Sequence, residues 1–326
     1  MSIVPVWTLI LGAAVFFYVV LDGFDLGIGI LYNFARTRAD RQAMMNSIAP
    51  IWDGNETWLV LGGLGLLAAF PVAFAIILPA VYFPILIMLL ALVFRGVAFE
   101  FQFRDAEHRH AWDHAFSIGS ALATFAQGIV LGAFIQGFNV EGRHFVGGSF
   151  DCFTPFSLFT GLALMSGYAL LGACWLILKT DGALAERARG WARQSFLGTF
   201  AAVGIVSLWT PFIDPDIARR WFSWPNILFL SPVPLATAVT GFLWWRAVAK
   251  KQEAAPFFYA ILLFTLAYLG IAISLFPMIV PHHFSLEQAA SDPSTQIFLG
   301  VGTLFLLPII AVYTGWSYWV FRGKVK

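Results

Sequence analysis

Residues 21–60 read LDGFDLGIGILYNFARTRADRQAMMNSIAPIWDGNETWLV, and this stretch decides the fold. It joins the end of one long apolar run to the start of the next through a short loop that contains several arginines. Two acids, Asp22 and Asp25, lie late in the first run, and two more, Asp53 and Glu56, open the second. About 20 apolar residues are enough to cross a bilayer as a helix. We therefore predict a membrane hairpin of two helices with acids near its basic loop.

Placing these four acidic side chains in membrane helices is energetically unfavourable. Each pair is spaced three residues apart, so each pair lies on one face of its helix. An acidic side chain at the membrane centre costs roughly 2.5–3.5 kcal/mol on insertion scales, and such residues usually face a bundle interior or a wet cavity. Helix capping or polar packing near the membrane surface would explain one acid. Four in one hairpin favour a proton or ion pathway through Asp22, Asp25, Asp53 and Glu56.

The composition of the whole chain agrees with a membrane protein. Apolar residues make up 60% and charged residues 11% of the sequence, whereas a soluble domain has about 25% charged residues. No basic patch is interleaved with a soluble aromatic surface, so nucleic-acid binding is not expected. We predict an all-α, polytopic protein in which residues 1–326 form one integral membrane domain. Its nine predicted spans are residues 6–31, 51–70, 72–99, 116–136, 157–178, 196–212, 227–245, 257–280 and 297–321.

The distribution of basic residues predicts the orientation of these spans. Most of the 19 lysines and arginines lie in the C-terminal tail or in the loops that follow odd-numbered spans. Basic loops stay in the cytoplasm, so we place the N-terminus outside, in the periplasm, and the C-terminus in the cytoplasm. The four acids then lie near the cytoplasmic mouth of the bundle. Pro277, within the eighth span, predicts a kink.

Aromatic and amide side chains flank the second acidic pair in the motif WDGNETW. Asn55 could hold a carboxylate or a water molecule in a relay. Trp52 and Trp58 could line a pocket for a flat ring. They could equally be an interfacial tryptophan pair at a helix end, and the pattern alone does not choose between these interpretations.

Arg95 and Glu100 lie near the end of the third predicted span. A buried arginine needs a carboxylate partner, and any of the four acids could supply one. Alternatively, the long side chain of Arg95 reaches the inner membrane surface, where basic residues already cluster. Its position near the helix end favours this second interpretation.

The histidines argue against a haem or a metal bound by this chain. None of the six lies in the middle of an apolar run, where a helix would present an axial ligand to a buried haem. His282 and His283 are adjacent, so their side chains diverge, and no third metal ligand is apparent. We expect no metal and no catalytic residue in this chain.

Five motifs resemble one family of membrane proteins, subunit II of the cytochrome bd quinol oxidases. They are LDGFDLGIGIL, MNSIAPIWDGNETWLVLGG, FRGVAFEF, GIAISLFPMIVP and PIIAVYTGWSYW, and they extend from the first predicted helix to the last. The segment GNETW, with Glu56, resembles the cyanide-insensitive branch of this family.

The resemblance implies a fold of nine helices, arranged as two four-helix bundles plus one peripheral helix. It implies a bacterial inner-membrane heterodimer with a haem-bearing subunit I, which oxidises quinol and reduces dioxygen to water. The partner would hold haem b and, depending on the branch, haem d, and small single-helix accessory subunits could join the complex. The resemblance also implies a cytoplasmic proton path through Asp22, Asp25 and Asp53, and a structural quinone near Trp52.

Two other functions also fit intramembrane acids. A proton-coupled secondary transporter would need no partner, but it should show interrupted helices at corresponding places in two halves, and no such pair is visible. Alternatively, the carboxylates only fix helix packing in a structural subunit.

Overall fold

The computed structural model describes residues 3–105 and 107–325, whereas residues 1, 2, 106 and 326 lie outside the described part. The described chain is dominated by α-helices, with two short antiparallel hairpins in the loops. The helices are α1 (Val4–Leu31), α2 (Arg38–Asn46), α3 (Trp52–Ala69), α4 (Pro71–Ala80), α5 (Tyr82–Arg104), α6 (Arg109–Gln136), α7 (Pro155–Lys179), α8 (Gly182–Ile213), α9 (Pro215–Phe222), α10 (Asn226–Leu230), α11 (Pro232–Ala249), α12 (Ala255–Leu275), α13 (Leu286–Ala289) and α14 (Pro293–Val320). The strands are β1 (Val140–Glu141), β2 (His144–Phe145), β3 (Met278–Val280) and β4 (Phe284–Ser285).

Local sequence sets where many of these helices begin. Proline occupies the first or second position of several of them, including α1, α4, α7, α11 and α14, where its missing N–H removes no helical hydrogen bond. Thr37 begins α2 and Thr154 begins α7 with reciprocal side-chain to backbone hydrogen bonds. These bonds satisfy N–H groups that would otherwise be unpaired in the first turn.

The prediction of a polytopic all-α membrane protein is confirmed. Within the described residues, eight helical segments are long and apolar enough to cross a membrane. The second predicted span corresponds to α3, whose polar first turns set it apart from these eight. The third predicted span is divided into α4 and α5 by a break at Val81, and Pro84 lies in the first turn of α5.

Two boundary predictions differ from the structure. The eighth span ends at Leu275, and Pro277 follows the helix, so the predicted kink is wrong. The chain continues from Pro277 into the β3–β4 hairpin, so this proline does not interrupt a helix. The sixth span is longer than predicted because α8 already begins at Gly182, in the charged segment that precedes its apolar part.

Helix contacts define two groups and one outlying helix. In the first group α1 packs against α3 and α6, and α5 packs against α6. In the second group α7 packs against α8 and α12, and α11 packs against α12. Contacts of α7 with α1 and α6 join the groups, whereas α14 packs mainly on α3 and buries only Gln296. This pattern agrees with two four-helix bundles and a peripheral helix.

The junction between the groups is very close. An added Cβ at Gly27 of α1 would lie 1.8 Å from the carbonyl oxygen of Tyr168 on α7, and one at Gly172 would lie 2.5 Å from the backbone of Gly27. Real Cβ atoms essentially never come within 3.0 Å of such neighbours. Glycine at both positions therefore lets the backbones of α1 and α7 come into contact. The C-terminal half of α1 is buried at this contact.

Candidate functional site

Two acids of α1 and one arginine of α5 form a buried group of charges, the acid–arginine cluster (Asp22, Asp25 and Arg95). The Nη1 of Arg95 donates a hydrogen bond to Oδ1 of Asp22 at 2.8 Å, and its Nη2 lies 3.9 Å from Oδ2 of Asp25. All three side chains are 0% exposed. Asp22 and Asp25 lie on one face of α1, as their spacing predicts, and this face is turned toward α5.

Asn55 of α3 links this cluster to the peripheral helix. Its Nδ2 donates to Oδ2 of Asp25 at 2.7 Å and also lies 3.3 Å from the carbonyl oxygen of Leu21. Its Oδ1 accepts a hydrogen bond from the Tyr318 hydroxyl of α14 at 2.9 Å. Asn55 is 1% exposed, so the prediction that this amide holds a carboxylate agrees with the structure. Tyr318 was not predicted.

The structure contradicts the interpretation that Arg95 reaches the membrane surface. Its side chain turns inward, and the guanidinium lies 5.8 Å from the Trp52 ring and 5.9 Å from the Phe99 ring. A guanidinium buried this way is compensated by the two carboxylates and by the aromatic faces beside it. The position of Arg95 near a helix end did not decide its direction, because the α1 acids provide a better partner than the surface.

The other predicted acids are more exposed than the cluster. Glu56 is half-buried, and its carboxylate interacts electrostatically with Asp22, Arg95 and Asp53. Asp53 is exposed at the first turn of α3. Glu100 is exposed and pairs with Arg104 at 2.5 Å, so it is not a buried partner of Arg95. The four acids of the hairpin therefore do not all meet at one point.

The two tryptophans of WDGNETW are packed between helices. Trp52 stacks on Phe99 with ring centroids 4.8 Å apart and an angle of 4°. Trp58 is buried against Tyr18 and Ala14, and its indole Nε1 has no hydrogen-bond partner among the described residues. One face of Trp52 is thus already occupied by protein.

A second polar connection reaches the cluster from the opposite side and was missed from the sequence. The Tyr168 hydroxyl of α7 donates to Oε1 of Gln127 at 2.9 Å, and Nε2 of Gln127 donates to the Tyr18 hydroxyl at 2.7 Å. Tyr18 lies next to the Asp22 carboxylate. Buried polar groups are normally satisfied in this way, and the connection links α7, α6 and α1.

The sequence does contain a signal for Gln127. Polar residues recur along α6 at intervals of four, three, four and three positions, which places them on one face of a helix. In the structure that face is buried. Its members are Asp113, Ser117, Ser120, Thr124 and Gln127.

Asp113 forms a separate buried site at the basic-loop end of α6. Its carboxylate accepts hydrogen bonds from the Tyr32 hydroxyl at 2.7 Å, from Nε2 of Gln102 at 2.7 Å and from Nη1 of Arg41 at 3.1 Å. Arg41 belongs to α2, so this site ties the short loop helix to the membrane bundle.

The expectation about metal ligands needs a correction. His282 does have further candidate ligands nearby, because its ring and the carboxylates of Asp214 and Asp216 bring ligand atoms within 4.8 Å of one another. They come from the β3–β4 hairpin and the start of α9, two segments far apart in sequence. Asp216 is also paired with Arg219, and Asp214 caps α9 through the Asp216 N–H at 2.8 Å.

The fold and the cluster define an integral membrane protein with a charged site enclosed between its helices. The family model of cytochrome bd terminal oxidase subunit II matches residues 3–321. The chain therefore belongs to that family, as its motifs suggested. Its family places it in a quinol oxidase complex, an oxidoreductase of the bacterial inner membrane, beside a haem-bearing subunit I. The transporter interpretation is not favoured.

Similar proteins agree with this assignment over nearly the whole chain. The chain is 28% identical to cytochrome bd-I ubiquinol oxidase subunit 2 of Escherichia coli (strain K12), covering 98% of this chain and 94% of that protein. It is 28% identical to cytochrome bd ubiquinol oxidase subunit 2 of Bacillus subtilis (strain 168), covering 100% and 97%. The structure of bd oxidase from Geobacillus thermodenitrificans contains a chain with the same fold, with a TM-score of 0.77, 17% identity, and coverage of 98% and 99%.

Proposed function

We propose that this subunit supplies a cytoplasmic-side path for the protons that its oxidase complex consumes when quinol is oxidised and dioxygen is reduced to water. The observation that carries the proposal is the acid–arginine cluster, in which two carboxylates and one guanidinium are 0% exposed. Helix capping would need only surface acids. Removing charges from water costs several kcal/mol per ion. A purely structural role needs only one buried acid beside Arg95, so it does not explain why a second acid is buried there.

The acids form a gradient of burial that suits proton uptake. Asp53 is exposed, Glu56 on the same face of α3 is half-buried, and Asp22 and Asp25 are fully buried. In this proposal Asp53 collects a proton at the surface, Glu56 passes it inward, and the buried pair delivers it toward the partner subunit. Asn55 and Arg95 orient the buried carboxylates.

The orientation of the chain gives this path its direction. The segment between α1 and α3 carries Arg36, Arg38 and Arg41, and basic loops stay in the cytoplasm. We therefore place the N-terminus in the periplasm and the C-terminus in the cytoplasm. Protons taken from the cytoplasm, combined with quinol oxidation whose protons leave on the other side, would generate a membrane potential.

The family resemblance leads us to assign the haems, of b type and in some branches d type, to subunit I. All six histidines of this chain have exposed side chains, which supports a haem-free role because a buried haem needs an axial ligand from the interior. A structural quinone near Trp52 would have to contact the ring edge or the opposite ring face, since Phe99 covers one face. Small accessory subunits stay a prediction.

The test is the Asp25→Asn variant in the intact, assembled complex. We expect quinol oxidase turnover to fall about 100-fold, within the range that positioned proton-transfer groups contribute, while the haem spectrum stays unchanged. Asp53→Asn should slow turnover less, because water can deliver protons past an exposed group. The control is Glu141→Gln, which neutralises an exposed acid in the β1–β2 hairpin. Normal turnover in assembled Asp25→Asn complex would leave the cluster with a structural role only.

A further inference from the structure

The acid–arginine cluster does not balance its charges if every group is ionised. Two carboxylates and one guanidinium would leave a net charge of −1 in a region where all three side chains are 0% exposed. An uncompensated buried charge is among the most costly features a protein can contain. Glu56, which interacts electrostatically with Asp22 and Arg95, is acidic and would add to the imbalance.

The hydrogen bonds of the cluster show where a compensating proton fits. Asp22 uses Oδ1 to accept from Arg95, and Asp25 uses Oδ2 to accept from Asn55. The other oxygens, Oδ2 of Asp22 and Oδ1 of Asp25, are both buried and accept no hydrogen bond of good geometry from the described residues, and the donor beside Asp22 is the Tyr18 hydroxyl. Asn55 cannot serve them as well, because its amide already bridges Asp25 and Tyr318.

The other ionisable groups around the cluster do not supply a second cation. They are Tyr18 on α1, Glu56 on α3, Tyr168 on α7 and Tyr318 on α14, in addition to Arg95 itself. The tyrosines are neutral, and the glutamate is acidic. A buried carboxylate oxygen without a donor normally signals a missing partner, and here there is one such oxygen on each acid.

We infer that Asp22 and Asp25 hold one proton between them, carried on Oδ1 of Asp25 and directed at Oδ2 of Asp22. The two residues are one turn apart on the same face of α1, so their side chains are neighbours. This proton satisfies both free oxygens and makes the cluster neutral. Asp22 keeps the negative charge because it makes the shorter contact with Arg95, 2.8 Å against 3.9 Å for Asp25. Asp25 is therefore the acid that stores and releases the proton, a role in turnover that rests on the proposed proton path.

The experiment is infrared difference spectroscopy of the intact complex, which separates a protonated carboxyl group from a carboxylate. We expect one carboxyl C=O band that shifts in D₂O and disappears in Asp25→Asn. It should also disappear in Asp22→Asn, because the acid that is left becomes the ionised partner of Arg95. Glu141→Gln should retain the band.

Assembly provides a second, independent readout. Each single Asn variant keeps one acid opposite Arg95, so both should assemble and retain normal haem spectra. The double variant Asp22→Asn/Asp25→Asn leaves Arg95 without an acid and should lose most of the assembled complex. A double variant that assembles as well as the single variants would contradict the charge balance argued above.

The outcomes separate the two proposals. The shared proton is refuted if the wild-type complex shows only carboxylate bands, or if the bands of Asp22 and Asp25 change when sodium is removed. In either case a bound cation, and not a proton, balances the charge of the cluster. If the shared carboxyl band is present but Asp25→Asn turns over normally, the inference about the proton stands and the proton path of the proposed function fails.

Discussion

Removing the positive charge of Arg95 should destabilise the protein more than neutralising either acid of the cluster. In Arg95→Gln the 2.8 Å contact to Asp22 is lost, and the buried, ionised Asp22 has no cation beside it. Breaking a buried ion pair by removing one partner costs about 3–5 kcal/mol. Because Asp25 keeps its hydrogen bond from Asn55, we take the lower end, about 3 kcal/mol, which corresponds to a decrease in Tm of about 4 °C for a chain of this length.

The assay is thermal unfolding of the purified complete complex, followed by tryptophan fluorescence and by haem absorbance. The matched control is Arg104→Gln on the same helix, whose side chain is 75% exposed and pairs with an exposed glutamate. Such a surface pair contributes less than about 1 kcal/mol, so its Tm should hardly change. A wild-type Tm for Arg95→Gln would refute the reasoning, because the buried acids would then not need this cation.

A double-mutant cycle measures the coupling between Arg95 and Asp22. The single variant Asp22→Asn still allows Asp25 to pair with Arg95. The double variant Arg95→Gln/Asp22→Asn removes both members of the 2.8 Å pair, so its loss of stability should be smaller than the sum of the two single losses. Additive losses would show that the two side chains stabilise the protein independently.

Two further predictions concern packing and the loop helix. Gly27→Ala should lower the Tm of the complex through a steric cost of about 3 kcal/mol, because its new Cβ would lie 1.8 Å from a backbone oxygen of α7. The control Gly63→Ala should leave the Tm unchanged, because a Cβ added there would have no neighbouring atom within 4 Å. Equal Tm values for both variants would contradict the close contact between α1 and α7. Asp113→Asn should weaken the ion pair with Arg41 and make α2 more sensitive to trypsin. The measurement is the rate at which trypsin cleaves the intact complex. An unchanged rate would show that the ion pair does not fix α2 to the membrane bundle.

Much of the fold follows from the chain by itself, because a membrane helix is a local object. A run of about 20 apolar residues must satisfy its backbone hydrogen bonds internally wherever it crosses the bilayer. The spacing of Asp22 and Asp25 likewise places them on one face of α1 whatever surrounds that helix. For this reason the helical class and the location of the first acid pair could be predicted without any tertiary information.

The composition of the site depended on packing between distant parts of the chain. Arg95 is 73 residues from Asp22, and Tyr318 is 263 residues from Asn55. Nothing in the residues around Arg95 distinguishes a side chain that reaches the membrane surface from one that turns inward. The choice depends on which helix face lies opposite, and so does the exclusion of Glu100 from the cluster.

The sequence by itself determined an all-α membrane chain, its family motifs and the acids that must be explained. Only the tertiary structure decided which acids meet, which cation they share and which oxygens have no donor. The physical reason is that helix formation and membrane insertion are set by residues within a few turns of one another. Charge compensation in a buried site instead requires side chains from α1, α3, α5 and α14 to arrive at one place, and only the packed bundle brings them together.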